Sequence, residues 1–178
     1  AYYIAAVNIE TTYQDLRGKL GDPGEYEPFP GLILTDTFQS WEDGDTLDTT
    51  VFVQNNARLE HLKSLPIQVI VGNPPYSFAQ ASANDGNTNE KYPGLDGRIA
   101  RAYLSRGDGN IRGNIYDSYI RALRWASDRI GESGVIAFVM NNGWIDSTGL
   151  GVGIRRALAD EFSSITVINL RGNQRTAG

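Results

Sequence analysis

Four residues that follow an apolar run have the types and the spacing to do chemistry. Asn73-Pro74-Pro75-Tyr76 comes one residue after the almost continuously apolar run 67–71. Two prolines fix two backbone φ angles and remove two N–H donors, so the backbone there presents only carbonyl acceptors. The Asn73 side chain adds another carbonyl, and the Tyr76 ring offers a stacking surface worth roughly 1–3 kcal/mol per base. The group fits a planar substrate that carries an amino group.

Two acceptors beside an amine would change the reactivity of that amine. An exocyclic amine is a poor nucleophile because its lone pair is delocalised into the ring. Acceptors on its two hydrogens pull the nitrogen toward tetrahedral geometry and restore the nucleophilicity. No general base is required, because the proton can leave after the new bond has formed. The alternative is that Asn73-Pro74-Pro75 is only a turn after a strand.

The composition limits the kinds of site that the chain can hold. With 40% apolar and 21% charged residues, the 178-residue chain can bury one core, which indicates a single domain over 1–178. It contains no cysteine, which excludes disulfides, thiolate metal sites and the thiolate addition that methylation of cytosine C5 needs. A single histidine, His61, cannot build a histidine-rich cluster, so we expect no metal.

The charge is distributed unevenly along the chain. Residues 1–97 contain five Lys and Arg against 14 Asp and Glu, whereas residues 98–178 contain 11 Arg against seven Asp and Glu. A guanidinium matches phosphate oxygens in its geometry, so the arginine-rich half suits contacts with a nucleic-acid backbone. The alternative is that these arginines only decorate helices. The candidates for DNA contact are Arg98, Arg101, Arg106 and Arg112.

Apolar periodicity predicts alternating helices and strands. Helices are expected over 1–16, 56–65, 115–130 and 154–162, and buried strands over 32–34, 67–71, 135–139 and 165–170. A long polar loop over 72–113 is interrupted by about one helical turn near 99–104. Near-continuous apolar strands that alternate with amphipathic helices indicate an α/β fold, a mostly parallel sheet with helices on both faces.

Ligands of such sheets bind beyond the carboxyl ends of the strands, which singles out three places. These are Asp36, the segment 72–76 and the segment 141–144. A glycine-rich stretch at 149–153 also precedes a helix. It lies about ten residues past its strand rather than in the tight strand-to-helix turn of a cofactor loop, so we interpret it as a flexible lead-in to the helix.

A resemblance to a known family rests on four segments: VIVGNPPYS, NIYDSYIRALRWASDRI, GVIAFVMNNGWI and VINLRGNQRT. They resemble the adenine-N6 methyltransferase domain of type ISP, type I-like restriction-modification enzymes, over nearly the whole chain. The resemblance implies a Rossmann-like fold and site-specific methylation of a flipped adenine in double-stranded DNA, with S-adenosylmethionine as cofactor. The tetrapeptide alone is shared with rRNA and protein-glutamine methyltransferases. A non-catalytic fragment or scaffold domain is a further alternative.

The resemblance also implies roles for individual residues. Asn73 and the Pro74 carbonyl would accept from adenine N6, and Tyr76, which follows Pro75 in the catalytic tetrapeptide, would stack on the base. Asp36, in the sequence LILTDTF, matches the acidic position that contacts the cofactor adenine, with Phe38 packing nearby. The alternative for Asp36 is a plain turn aspartate.

The family's glycine-rich cofactor loop and its target-recognition domain have no counterpart in these residues. We therefore expect a partial methyltransferase domain that lacks its N-terminal strands. An upstream cofactor-binding segment and a downstream target-recognition domain would come from the parent chain, and the 178-residue piece alone would be inactive. With no run of 18 apolar residues and no signal sequence, the expected location is cytoplasmic, away from any membrane.

Overall fold

A computed structural model describes residues 2–22, 24–43, 53–75, 91–107 and 114–170. The chain divides into two compact units, Ala1–Leu65 and Pro66–Gly178. The division falls at a proline, which has no N–H to continue a helix. No helix in the described ranges is long and apolar enough to cross a membrane. The same ranges contain no group of three side chains that suits a metal ion.

Two helices frame the first unit. Helix α1 spans Tyr2–Lys19 and has two basic residues in its last turn, where cations interact favourably with the helix dipole. Gly21 follows at a φ of 83°, a left-handed conformation that glycine adopts without steric cost. Helix α2 spans Val53–Ser64. Both helices confirm the sequence prediction.

Residues 32–34 do not form the predicted strand. The N–H of Leu34 donates to Oδ1 of Asn55 at 2.7 Å, and Nδ2 of Asn55 donates to the carbonyl of Leu34 at 2.8 Å. A side-chain amide therefore takes the place of the neighbouring strand that would complete a ladder. The prediction was wrong because a short apolar run indicates burial but not the partner of its backbone groups.

Two parallel strands form the sheet of the second unit. Strand β1 spans Val69–Gly72 and strand β2 spans Val135–Phe138, and they pair in register from first residue to last. Two further bonds extend the ladder, from the N–H of Val135 to the carbonyl of Gln68 at 2.8 Å and from the N–H of Val139 to the carbonyl of Gly72 at 3.0 Å. Both strands and their parallel direction agree with the sequence prediction.

The predicted strand over 165–170 is not formed. Its apolar residues are exposed, and the described ranges offer it no ladder partner. Strand backbone needs a neighbour for its N–H and carbonyl groups, and without one the apolar alternation alone does not make a strand.

Four helices complete the second unit: α3 at Pro93–Ala102, α4 at Ser118–Arg129, α5 at Gly143–Asp146 and α6 at Leu150–Glu161. Helices α4 and α6 confirm predictions. Helix α3 is longer than the single turn expected inside the loop 72–113, because Leu95 and Ile99 bury one face of it completely. The unit is an α/β arrangement that is compatible with the predicted Rossmann-like class.

The glycine-rich stretch 149–153 is not a flexible lead-in, because α6 already begins at Leu150. Its glycines permit close packing instead. A Cβ atom on Gly151 would overlap the backbone carbonyl of Trp144, and one on Gly153 would overlap that of Tyr103. By contrast, Gly149 has no neighbouring heavy atom within 4 Å of such a Cβ. Two of the three glycines therefore fit α6 against the preceding elements.

An ion pair between an arginine and an aspartate joins two helices of this unit. Arg121 on α4 donates two hydrogen bonds to the carboxylate of Asp96 on α3, both at 2.8 Å, and its guanidinium lies 5.0 Å from the ring centre of Tyr92. A bidentate pair of this kind adds geometric specificity to the attraction. It therefore fixes the start of α3 against α4.

Candidate functional site

The loop after β1 presents Asn73 to solvent. Asn73 and Pro75 are exposed, while Pro74 is buried. The Asn73 side chain makes no hydrogen bond within the described part of the chain. An Asx turn would need an N–H two residues further on, and Pro75 has none. The side-chain carbonyl of Asn73 therefore takes part in no such turn. Tyr76 lies outside the described residues, so its stacking role stays a prediction.

Strand β2 brings a second polar loop to the same edge of the sheet. Because Gly72 pairs with Phe138 in parallel register, Asn73 and Val139 leave the sheet side by side, at a strand spacing of about 4.8 Å. The segment 141–144 follows immediately. Of the three strand ends that the sequence singled out, the structure brings these two together.

Two adjacent asparagines in this second loop have different environments. Oδ1 of Asn141 accepts the N–H of Gly143 at 2.7 Å, which closes an Asx turn. Asn142 is exposed and occupies the N-cap position of α5, with φ −87° and ψ 0°, but its side chain caps nothing. The turn is therefore built by Asn141, and the amide of Asn142 is not part of it.

Helix α5 is held in place by a buried tryptophan and an arginine. Trp144 is 7% exposed. Nη1 of Arg155, on α6, donates to the carbonyls of Trp144 at 2.8 Å, Ile145 at 2.6 Å and Ser147 at 3.1 Å. These are carbonyls that a helix of four residues cannot satisfy itself. No sequence pattern pointed to Arg155, because the contact depends on how two helices pack.

Asp36, predicted to contact a cofactor, has a local role in the first unit. Its Oδ1 accepts the N–H groups of Phe38 at 2.9 Å and Gln39 at 3.2 Å, and the side chain is exposed. Phe38 is half-buried. The structure thus shows the turn role that was the alternative at this position. The cofactor contact of Asp36 and Phe38 stays a prediction.

The predicted phosphate-contacting arginines fall into two groups. Arg98 pairs with Asp128 at 2.8 Å and Arg106 with Asp160 at 3.4 Å, so carboxylates offset both cations. Arg101 is exposed and forms no ion pair with the residues that the structure describes. Arg112 lies outside those residues. Among the three described candidates, Arg101 therefore has the least engaged charge.

Three of the candidate arginines line an open recess of about 380 Å³. The residues around it are Arg98, Arg101, Ala102, Arg106, Arg124, Asp128 and Glu161. At its base Arg124 is buried and bonds Glu161 at 2.8 Å. Burial acts to lower the pKa of Arg124, but the hydrogen bonds that it donates to Glu161 and the negative charges around it hold that pKa above its ordinary value. Burial also raises the pKa of Tyr103, whose ring lies 5.6 Å from the guanidinium. Arg124 is therefore charged and structural.

No family model and no curated protein sequence matches the chain. Solved structures do. The Type ISP restriction-modification enzyme LlaBIII, ATP-dependent and bound to DNA, is 43% identical with a TM-score of 0.77, over 88% of this chain and 10% of that one. A nuclease-deletion mutant of the Type ISP enzyme LlaGI, in complex with a DNA substrate mimic, is 44% identical with a TM-score of 0.80, over 90% of this chain and 13% of that one.

A third similar structure is the DrdV–DNA complex, 38% identical with a TM-score of 0.74, over 90% of this chain and 15% of that one. Two of these three structural neighbours, LlaBIII and LlaGI, are Type ISP restriction-modification enzymes. The chain spans between 10% and 15% of the length of the three structures it matches.

Proposed function

We propose that this chain carries the target-base loop of a DNA adenine-N6 methyltransferase within a restriction-modification enzyme. The observation that supports this most directly is Asn73. Its side-chain carbonyl is exposed at the carboxyl edge of the sheet, makes no hydrogen bond within the described ranges, and is followed by two residues without an N–H. The likeness to Type ISP enzymes at 43% and 44% identity supports the same reading.

Asn73 and Pro74 activate the amine of the target base in this proposal. Oδ1 of Asn73 and the carbonyl of Pro74 each accept one hydrogen of adenine N6, which draws the nitrogen lone pair out of the ring. S-adenosylmethionine, when bound, supplies an electrophilic methyl group. Once the amine has accepted that methyl group, one N6 proton would pass to water. Neither residue titrates, so the two act by positioning and polarising rather than as acid or base.

Asp36 and Phe38 fit the adenine end of that cofactor in chemical type. A carboxylate accepts hydrogen bonds from an exocyclic amine. The two backbone N–H groups at 2.9 Å and 3.2 Å fix the orientation of the Asp36 carboxylate. A half-buried phenylalanine two residues later offers an aromatic surface beside it.

The proposed substrate is duplex DNA, since each of the three similar structures holds DNA or a mimic of it. The target adenine must leave the helix before Asn73 can reach its amine, which costs a few kcal/mol. Phosphate contacts offset such a cost, and Arg101 is the candidate arginine that is exposed and forms no ion pair with the residues that the structure describes.

The function is tested by expressing the complete reading frame that encodes this segment in a bacterial host without DNA methyltransferases. We expect N6-methyladenine in the nucleosides of the host DNA, measured by mass spectrometry, and sequencing of the modified DNA should map one recognition site. Methyl label in rRNA or in protein, with unmodified DNA, would show one of the alternative amino-methyltransferase activities. Methylation of cytosine N4 alone would contradict the choice of base.

Replacement of Arg101 by alanine should weaken DNA binding and its salt dependence. Loss of one phosphate contact lowers the slope of log K against log salt by about 0.9. The matched control is Arg98→Ala, because Asp128 already offsets that cation at 2.8 Å and the slope should change less. Affinity for duplex DNA measured at four salt concentrations gives both slopes. Equal slopes for Arg101→Ala and wild type would show that Arg101 contacts no phosphate.

A further inference from the structure

Asn142 and Asn73 both follow the carboxyl ends of neighbouring parallel strands. Strands β1 and β2 are parallel neighbours, and the last ladder bond joins Val139 to Gly72 at 3.0 Å. Asn142 is three residues beyond that bond, and Asn73 is one residue beyond it on the adjacent strand. Both are exposed at the same edge of the sheet.

Local structure does not use this amide. Asparagine is among the best N-cap residues, because its side-chain oxygen usually accepts an N–H of the first turn. Asn142 occupies the N-cap position of α5, yet its side chain makes no such bond, and Asn141 supplies the Asx turn to Gly143 instead. The side chain of Asn142 has no hydrogen-bond partner in the described parts of the chain.

The backbone that carries this amide is firmly held. Trp144 is buried two residues later, and Arg155 donates to three carbonyls at the end of the same short helix. A polar group on a rigid support makes a specific contact at a smaller entropic cost than one on a mobile loop.

We infer that Asn142 is a specificity-determining residue that donates a hydrogen bond from Nδ2 to a ring nitrogen flanking the amine of the target base. The inference rests on the proposed function. In the proposed mechanism Oδ1 of Asn73 and the carbonyl of Pro74 both accept from the amine, so these two contacts select an amino group but not the ring that bears it. Adenine has acceptor nitrogens, N1 and N7, on either side of that amine. An amide donor complements one of them, and a base without that acceptor leaves the donor unpaired.

The test uses the complete enzyme and duplex oligonucleotides that contain the mapped recognition site. The target adenine is replaced by 1-deazaadenine or by 7-deazaadenine, each of which lacks one ring acceptor. Single-turnover methyl transfer by wild type should fall roughly tenfold on one of the two analogues. Asn142→Ala and Asn142→Asp should be slower by a similar factor on adenine and should lose nothing further on that analogue.

The matched control is Asn141→Asp, which removes an amide donor from the neighbouring residue but keeps the Oδ1 acceptor that Gly143 requires. It should retain the wild-type response to both analogues. If wild type methylates adenine and both analogues at one rate, or if the Asn142 variants keep the loss on the analogue, the inference is overturned while the proposed function stands. If wild type methylates no adenine, the proposed function fails and the inference fails with it.

Discussion

Replacement of Asn73 by alanine in the complete enzyme is expected to lower single-turnover methyl transfer by about a hundredfold or more, while DNA affinity changes by less than about threefold. The acceptor acts mainly as the nitrogen becomes tetrahedral, so its loss raises the barrier without weakening the ground-state complex. Removal of one positioned hydrogen-bonding group from other active sites costs about 10² to 10³ in rate. Asn73 is exposed and unengaged in the described structure, so truncation removes no structural bond there.

The variant Asn73→Asp separates the acceptor from the rest of the side chain. A carboxylate of the same shape still accepts a hydrogen bond, so this variant should retain more activity than the alanine variant. Rates come from transfer of labelled methyl groups with enzyme in excess, and affinity comes from DNA binding without cofactor. A rate for Asn73→Ala within about threefold of wild type corresponds to less than 1 kcal/mol and would remove Asn73 from the mechanism.

Replacement of Gly153 by alanine should destabilise the second unit by about 1–3 kcal/mol or more. Alanine normally stabilises a helix interior by about 1 kcal/mol relative to glycine, so the expected sign is reversed. The reason is the approach of α6 to the carbonyl of Tyr103, which a Cβ atom would overlap. Backbone cannot rotate away as a flexible side chain does, so α6 must shift. Gly151→Ala should behave alike against the carbonyl of Trp144.

Gly149→Ala is the matched control, since an added Cβ there has no heavy atom within 4 Å. Urea unfolding of the full chain, followed by circular dichroism, gives the free energy of unfolding for each variant. The control should stay within about 0.5 kcal/mol of wild type, as surface changes usually do. If Gly153→Ala is as stable as the control, the close packing of α6 against Tyr103 is incorrect.

Local sequence patterns correctly predicted the helix and the strand in which apolar residues recur at regular spacing. The helix expected over 115–130 is present as Ser118–Arg129, and the strand expected over 135–139 as Val135–Phe138. The patterns failed where the backbone partner lies elsewhere. Leu34 bonds to a side chain on α2, and the segment 165–170 is not paired with either strand of the described sheet. Periodicity reports which face is apolar, not what completes the hydrogen bonds.

The sequence predicted part of the candidate site, namely the residue that follows β1, but not the contacts that support it. Asn73 stands in a rare tetrapeptide directly after a strand, so residue types and spacing alone identify it. The support of the neighbouring loop by Arg155 was not predictable, because that arginine lies on another helix and reaches three carbonyls only after packing. Likewise, Arg98 on α3 pairs with Asp128 on α4, 30 positions later in the chain. The carboxylate offsets a positive charge that composition alone counts as available for DNA contact.

The Asx turn at the end of β2 has an evolutionary consequence. Because Oδ1 of Asn141 closes the turn to Gly143 by itself, the side chain at position 142 makes no hydrogen bond with the rest of the described fold. Exchange of the residue there should cost little stability, whereas position 141 is constrained to residues that accept a backbone N–H. The first of the two neighbouring positions is therefore under selection for the shape of the loop. The second can diversify among relatives without loss of the scaffold.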